Sequence, residues 1–394
     1  MGFEYYIESG TKRLRCGYST GTCAALAAAG AAQLLLTGQA PELLSVVTPK
    51  GPRVNTYSEY CRFEPDGSAV CAVRKDAGDD PDITGGMLIC ARVSFLQGAQ
   101  SGEENVVIDG GEGVGRVTRP GLDQPPGSAA INTVPRRMIK KSVNKILEEN
   151  GRTDRLKVVI SIPGGREKAA GTFNPQLGIE GGLSVLGTSG IVEPMSTDAL
   201  KETIRISLCQ AACEGYKEVI LAPGNYGLSY VEKLGIGGNI PVVRCSNFVG
   251  DALDMASVLG FEKVLLVGHA GKLVKLAGGI MNTHSSQADC RRELICAHAA
   301  VSGADKDLCS AIMEAVTTNE CFDLLERAGL LDIVSERLMS AIDLHLARRA
   351  GGAYRAGALV FAGEERLIGT TKNAADILAG LKDRNAGKMS EEKP

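Results

Sequence analysis

Four times in its second half, this sequence runs a short, nearly unbroken apolar stretch straight into a turn of Gly, Asn or Ser. The stretches are GLSVLGTSG (182–190), EVILAPGNYG (218–227), PVVRCSNFVGD (241–251) and KVLLVGHAGK (263–272). A strand with one wet face alternates apolar and polar residues. A strand that is apolar throughout has to be covered on both faces, as in a parallel sheet flanked by helices. Helical patterns fill the intervals, so residues 181–394 are predicted to form a Rossmann-like α/β domain that ends in a helical region. In an open parallel sheet, ligands bind outside the carboxyl ends of the strands. That rule makes the turn residues Gly187, Thr188, Gly190, Gly224, Asn225, Gly227, Asn247 and Gly268 candidates for lining a crevice.

The first half reads differently. Strand-like runs at 43–49, 68–76, 86–96 and 105–110 are separated by turn clusters such as EPDG (64–67) and AGDDPD (77–82). An alanine-rich helix is expected over 22–37 with Gly38 as its left-handed terminator. A second is expected over 128–150, after the glycine-rich loop 110–127. The result is an α+β domain, 1–180, with a mostly antiparallel sheet. The stretch RLKVVISIPGG (155–165) suits either sheet.

Composition narrows the classes. With 394 residues and 44% hydrophobic content the chain is long enough for two buried cores. A net charge of −3 offers no bulk attraction to nucleic acid or to an anionic membrane. No signal-peptide core is read in MGFEYY, and no apolar run is read as approaching the ~18 residues of a membrane span. The 12 cysteines include no Cys-x-x-Cys pair. They read as small buried thiols of a reducing, cytoplasmic setting rather than zinc ligands, and no protein-bound metal is expected.

Several clusters carry possible chemistry. The loop RKDAGDDPD (74–82) gathers Asp76, Asp79, Asp80 and Asp82, which suit a solvated turn, a cation or general-base work. Arg116 and Arg119 sit in the glycine-rich loop, with Arg136 on the helix after it, and forked guanidinium groups suit carboxylates. His269 follows a strand and His284 lies in a polar break, whereas His298 and His345 fall inside amphipathic helices. Ser19, Thr20 and Thr22 open the alanine helix, where hydroxyls cap and free N–H groups can receive an anion. GHAGK has the ending of a phosphate loop, but Leu266 and Leu273 break that pattern, and no G-x-G-x-x-G occurs.

In order along residues 14–292, the blocks LRCGYSTGTCAALAA, KDAGDDPDIT, GGEGVGRVTRPGL, AINTVPRRMI, FNPQLGIEGGLSVLGTSGIVEPMS, PGNYG, SNFVGD and GHAGKLVKLAGGIMNTHSSQAD closely resemble the CbiD family. These are the cobalt-precorrin-5B C1-methyltransferases of anaerobic cobalamin synthesis. Gly85 stands where the family pattern suggests His, Thr133 where it suggests Pro and Ala270 where it suggests Ile. The resemblance implies methyl transfer from S-adenosylmethionine to a ring carbon of a tetrapyrrole that brings its own cobalt. On that expectation Arg116, Arg119, Arg136, Lys272, Thr20 and Thr22 meet the substrate. Asp251 or Glu193 meets the donor's ribose or amino group. His269, His284 and Asp76 are the candidates for moving a proton. Expected partners are the substrate, other enzymes of the pathway and, as an open alternative, a second copy of the chain. Two other readings share the crevice: a corrinoid carrier without turnover, and a nucleotide-dependent transferase.

Overall fold

The computed structural model describes residues 3–96, 104–236 and 240–378. The polar tail expected to fray, 383–394, lies outside the described residues. The chain divides into two compact units, Met1–Thr197 and Asp198–Pro394.

The first unit is built on a five-stranded sheet. Its strands are β1 (Tyr60–Phe63), β2 (Ala69–Arg74), β3 (Leu88–Phe95), β4 (Val106–Gly110) and β5 (Leu156–Ser161), in the order β1-β2-β3-β5-β4. All pairs are antiparallel except β5 with β4. That parallel pair needs a crossover, which helix α2 (Thr133–Glu149) supplies. The ambiguous 155–165 stretch therefore belongs to this sheet as β5. Helix α1 (Thr20–Thr37) packs against the sheet and α2, with its alanines buried. Small side chains let it approach closely, and at Gly30 a Cβ would meet Cys71 Sγ at 2.7 Å. Gly38, at φ 75°, ends the helix and returns its N–H to Leu34 O at 2.8 Å. By length and mean hydropathy of 1.3, α1 would also pass for a membrane span, contrary to the sequence reading. Yet 72% of it is buried inside the unit, so it is a core helix.

The boundary expected at 180 moves to 197, and the run GLSVLGTSG is no strand of a parallel sheet. Val185 N–H donates to Ala130 O at 2.8 Å, and Leu183 N–H to Gly113 O at 2.9 Å. Ile191–Val192 pairs antiparallel with Gly17–Tyr18. These pairings stitch 183–192 into the first unit.

The second unit holds β6 (Glu218–Ala222), β7 (Val242–Arg244), β8 (Lys263–His269), β9 (Arg355–Ala362) and β10 (Arg366–Thr370), in the order β7-β6-β8-β9-β10. The first four run parallel, and β10 is an antiparallel edge. The apolar runs are explained by burial on both faces. Val219, Leu221, Val264 and Leu266 enter one core, while Ile220, Leu265 and Val267 enter the other. Helices Asn225–Leu234 and Val249–Val258 connect the first three strands, and helices between 291 and 350 link β8 to β9.

Candidate functional site

From β6 the chain steps to β7 on one side, then crosses back to β8 on the other. The loops after β6 and β8 thus part at a topological switch point, the place where open α/β sheets bind ligands. Pro223 and Gly224 leave β6, Cys245–Asn247 leave β7, and His269–Lys272 leave β8. Gly224 holds φ 85° and ψ −179°, backbone that only glycine adopts readily. A Cβ there would stand 3.4 Å from Lys272 Cε, an ordinary contact, so the backbone conformation rather than crowding calls for glycine. Lys272 is half-buried, and its ammonium donates to Asn247 Oδ1. Burial lowers its proton affinity, and so does the charge of Lys275; the Cys245 thiol nearby acts the other way.

His269 caps the short helix after β8: its Nδ1 accepts the Gly271 N–H at 3.0 Å. A nitrogen that accepts carries no proton, so the neutral ring holds its proton on Nε2. Burial, with Arg291 as a smaller contribution, lowers the pKa of the ring and favours that neutral form. With Nδ1 so occupied, the neutral His269 ring presents its Nε2–H as a donor. Its ring centroid lies 5.5 Å from that of Tyr226, a 62% exposed aromatic that the sequence reading passed over. His284 is exposed, and its Nδ1 likewise accepts a backbone N–H, from Ser286 at 3.2 Å.

The other candidates of this unit have packing or pairing roles. At Gly227 a Cβ would lie 2.5 Å from Val267 O, a helix–strand contact, and at Gly268 one would lie 2.9 Å from Pro223 Cγ, where the loop after β6 approaches β8. Asn225 Oδ1 accepts from Arg244 at 3.1 Å. Asp251 pairs with Lys201 at 2.7 Å.

Gly187, Thr188, Gly190 and Glu193 belong to the first unit, where Gly187 and Gly190 lie against the start of α1. Gly190 O accepts from Ser19 N–H at 3.0 Å and from Thr22 Oγ1 at 2.6 Å, and Leu186 O accepts from Gly21 N–H at 3.0 Å. Ser19 Oγ caps Thr22 N–H at 3.2 Å. Thr20 and Thr22 are both buried. The anion-receiving end expected from the hydroxyls is thus occupied by the chain's own carbonyls, and Glu193 pairs with Lys50. Thr188 is exposed.

Asp76 is likewise engaged. Arg15 grips it with two bonds, of 2.6 and 2.8 Å, and Gly78 N–H adds a third at 2.9 Å. Burial pushes its pKa up, but these donors outweigh burial and hold the carboxyl below the usual carboxylate range, so it makes a poor base. Asp79 accepts from Arg15 N–H, Asp80 from Met195 N–H, and Asp82 from buried Lys75. Every acid of that loop has an internal donor. At Gly85 a Cβ would meet Asp82 O at 3.1 Å, so the turn has to yield to admit a side chain.

Of the arginines, Arg136 is a structural clamp. Its guanidinium donates to the carbonyls of Ile131, Ile108 and Ala129 at 2.7, 3.1 and 3.2 Å. Arg116 pairs with Asp109 at 2.7 Å. Arg119 is exposed over Gly178, and among the described residues it has no hydrogen-bond or ion-pair partner.

The loops at the switch point thus carry a held cation, Lys272, and an exposed aromatic, Tyr226. The CbiD family model matches residues 7–194, and that for "CbiD, C-terminal domain" matches residues 282–372. A protein of Ruminiclostridium cellulolyticum, a cobalt-precorrin-5B C(1)-methyltransferase, is 42% identical over 96% of this chain and 98% of its own. A protein of the same name from Methanocaldococcus jannaschii is 40% identical over 86% of this chain and 92% of its own. A crystal structure of a cobalamin biosynthesis protein (cbiD) from Archaeoglobus fulgidus is 28% identical, with a TM-score of 0.39, over 73% of this chain and 87% of that one. The chain belongs to the CbiD family.

Proposed function

We propose that this chain is the enzyme that methylates C1 of cobalt-precorrin-5B, with S-adenosylmethionine as donor, to give cobalt-precorrin-6A and S-adenosylhomocysteine. The observation that carries the reading is the 42% identity spanning nearly the whole of both chains with a relative of that name. The reaction belongs to a cytoplasmic, early-cobalt route to cobalamin, and the cobalt is carried by the substrate.

The second unit, with its Rossmann-like sheet, is our assignment for the donor, and the first unit for the tetrapyrrole. The crevice residues fit the donor chemically. Tyr226 offers an exposed ring, and Lys272 a cation. When bound, S-adenosylmethionine supplies an electrophilic methyl on a sulfonium. The chain's part is to hold the two reactants in line and to keep water out. His269, with Nδ1 occupied by Gly271 N–H, donates from Nε2. Arg119 is free to meet one of the substrate's peripheral carboxylates.

The test is turnover of purified chain with cobalt-precorrin-5B and S-adenosylmethionine. Mass spectrometry is expected to show one added methyl per tetrapyrrole and an equal yield of S-adenosylhomocysteine. Binding of the tetrapyrrole with no methyl gain would overturn the reading in favour of a carrier.

A further inference from the structure

Around the strand ends of the second unit, one half-buried charge stands without an acid among the described residues. Lys201 has Asp251 at 2.7 Å, Asp289 serves Arg291 at 2.5 Å and Lys275 at 3.7 Å, and the exposed Arg244 meets the amide oxygen of Asn225 at 3.1 Å. Lys272 has no acid within ion-pair distance among the described residues. Its one hydrogen-bond partner there is the neutral amide oxygen of Asn247. A lysine ammonium has three N–H donors, so two remain. Keeping a cation half out of water without a counter-charge is costly.

The surrounding structure fixes that ammonium in place. Lys275 is 2% exposed and donates to Thr283 O at 3.1 Å and Ala288 O at 2.8 Å, which ties the 283–288 loop down. Thr283 in turn donates its N–H to Asn247 O at 2.9 Å and its hydroxyl to Asn247 Oδ1 at 3.3 Å. Asn247 is therefore held on one side while it holds Lys272 on the other.

We propose that Lys272 is the anchor for a ligand carboxylate, its ammonium set in position by Asn247 and by the loop that Lys275 ties down. The inference rests on the methyltransferase reading above, which supplies two sources of that group. One is the amino-acid carboxylate of the methyl donor, and the other is the acetate and propionate fringe of the tetrapyrrole.

Calorimetric titration of the full chain separates them, with S-adenosylhomocysteine, methylthioadenosine (which lacks the carboxylate) and cobalt uroporphyrin as probes. The variants are Lys272→Gln, which keeps a donor to Asn247 but drops the charge, and Lys272→Met. Circular dichroism and the thermal midpoint report that both are folded. The expected result is a loss of about tenfold or more in affinity for one carboxylate-bearing probe. Loss for S-adenosylhomocysteine with methylthioadenosine unmoved assigns the donor; loss for cobalt uroporphyrin alone assigns the tetrapyrrole. Unchanged affinity of both folded variants for all three probes would overturn the anchor while leaving the methyltransferase reading intact. Failure of the unaltered chain to bind any probe would overturn both.

Discussion

The two glycine- and hydroxyl-bearing turns that open helices in this chain, Gly17–Thr22 in the first unit and Pro223–Gly227 in the second, look alike as sequence and differ in what they leave free. At the first, the chain's own oxygens take the donors of Ser19, Gly21 and Thr22, through Gly190 O, Leu186 O and Ser19 Oγ, and Thr20 and Thr22 are buried. At the second, the helix start has no side-chain cap and stands beside a lysine that has no acid among the described residues. Small residues therefore mark close approach in both places, and a charge or donor left over is what distinguishes the second. The same contrast separates Arg136, spent on three carbonyls, from Arg119, which has no partner among the described residues.

The largest expected effect comes from crowding the first turn. At Gly17 an added Cβ would stand 2.3 Å from the backbone of Ala77 and Asp76, where no flexible side chain can give way. Gly17→Val is expected to cost about 3 kcal/mol or more, read as a lost or strongly lowered thermal midpoint. A variant with unchanged stability but lost ligand affinity would instead make this turn a binding loop.

Next is the acidic loop. Burial raises the Asp82 pKa, but Lys75 and Thr84 outweigh it and hold the carboxyl below its ordinary value. A folded pKa below the unfolded one means stability that is present above the unfolded value, near pH 4, and lost as pH falls through the folded one. Asp82→Ala leaves Lys75, 4% exposed, without its acid. We expect a loss of about 3 kcal/mol at neutral pH and a shallower decline of stability in acid, followed by urea denaturation at several pH values. An acid limb as steep as that of the unaltered chain would contradict this.

The smallest effect is the cap itself. Ser19→Ala removes the acceptor for Thr22 N–H and is expected to cost about 1 kcal/mol in a denaturant titration, with ligand affinity unmoved. A tenfold fall in S-adenosylhomocysteine affinity at unchanged stability would erase the contrast between the two turns.

Much of the fold was legible because the signals are local. The apolar runs at 218–222 and 263–269 became parallel strands buried on two faces, and Gly38 ended α1. GLSVLGTSG misled because a short apolar run carries no mark of its partner, and Val185 finds Ala130 far away in sequence. Arg136 misled for a related reason: a guanidinium fits three backbone carbonyls of an irregular segment as well as it fits a carboxylate. Lys275 was passed over although GKLVKLAGG carries a readable signal, since a lysine inside an apolar run has to find buried partners. Tyr226 became visible only once PGNYG and GHAGK were neighbours in space, and the tautomer of His269 only once the Gly271 N–H was placed against its Nδ1.

Hydrogen–deuterium exchange of the full chain, with and without S-adenosylhomocysteine, tests the central claim most directly. Protection concentrated at 223–227, 245–248 and 269–273, with 19–22 and 186–190 unchanged, is the result this account predicts. Protection confined to 19–22 and 186–190, with the loops after β6, β7 and β8 unchanged, would contradict it.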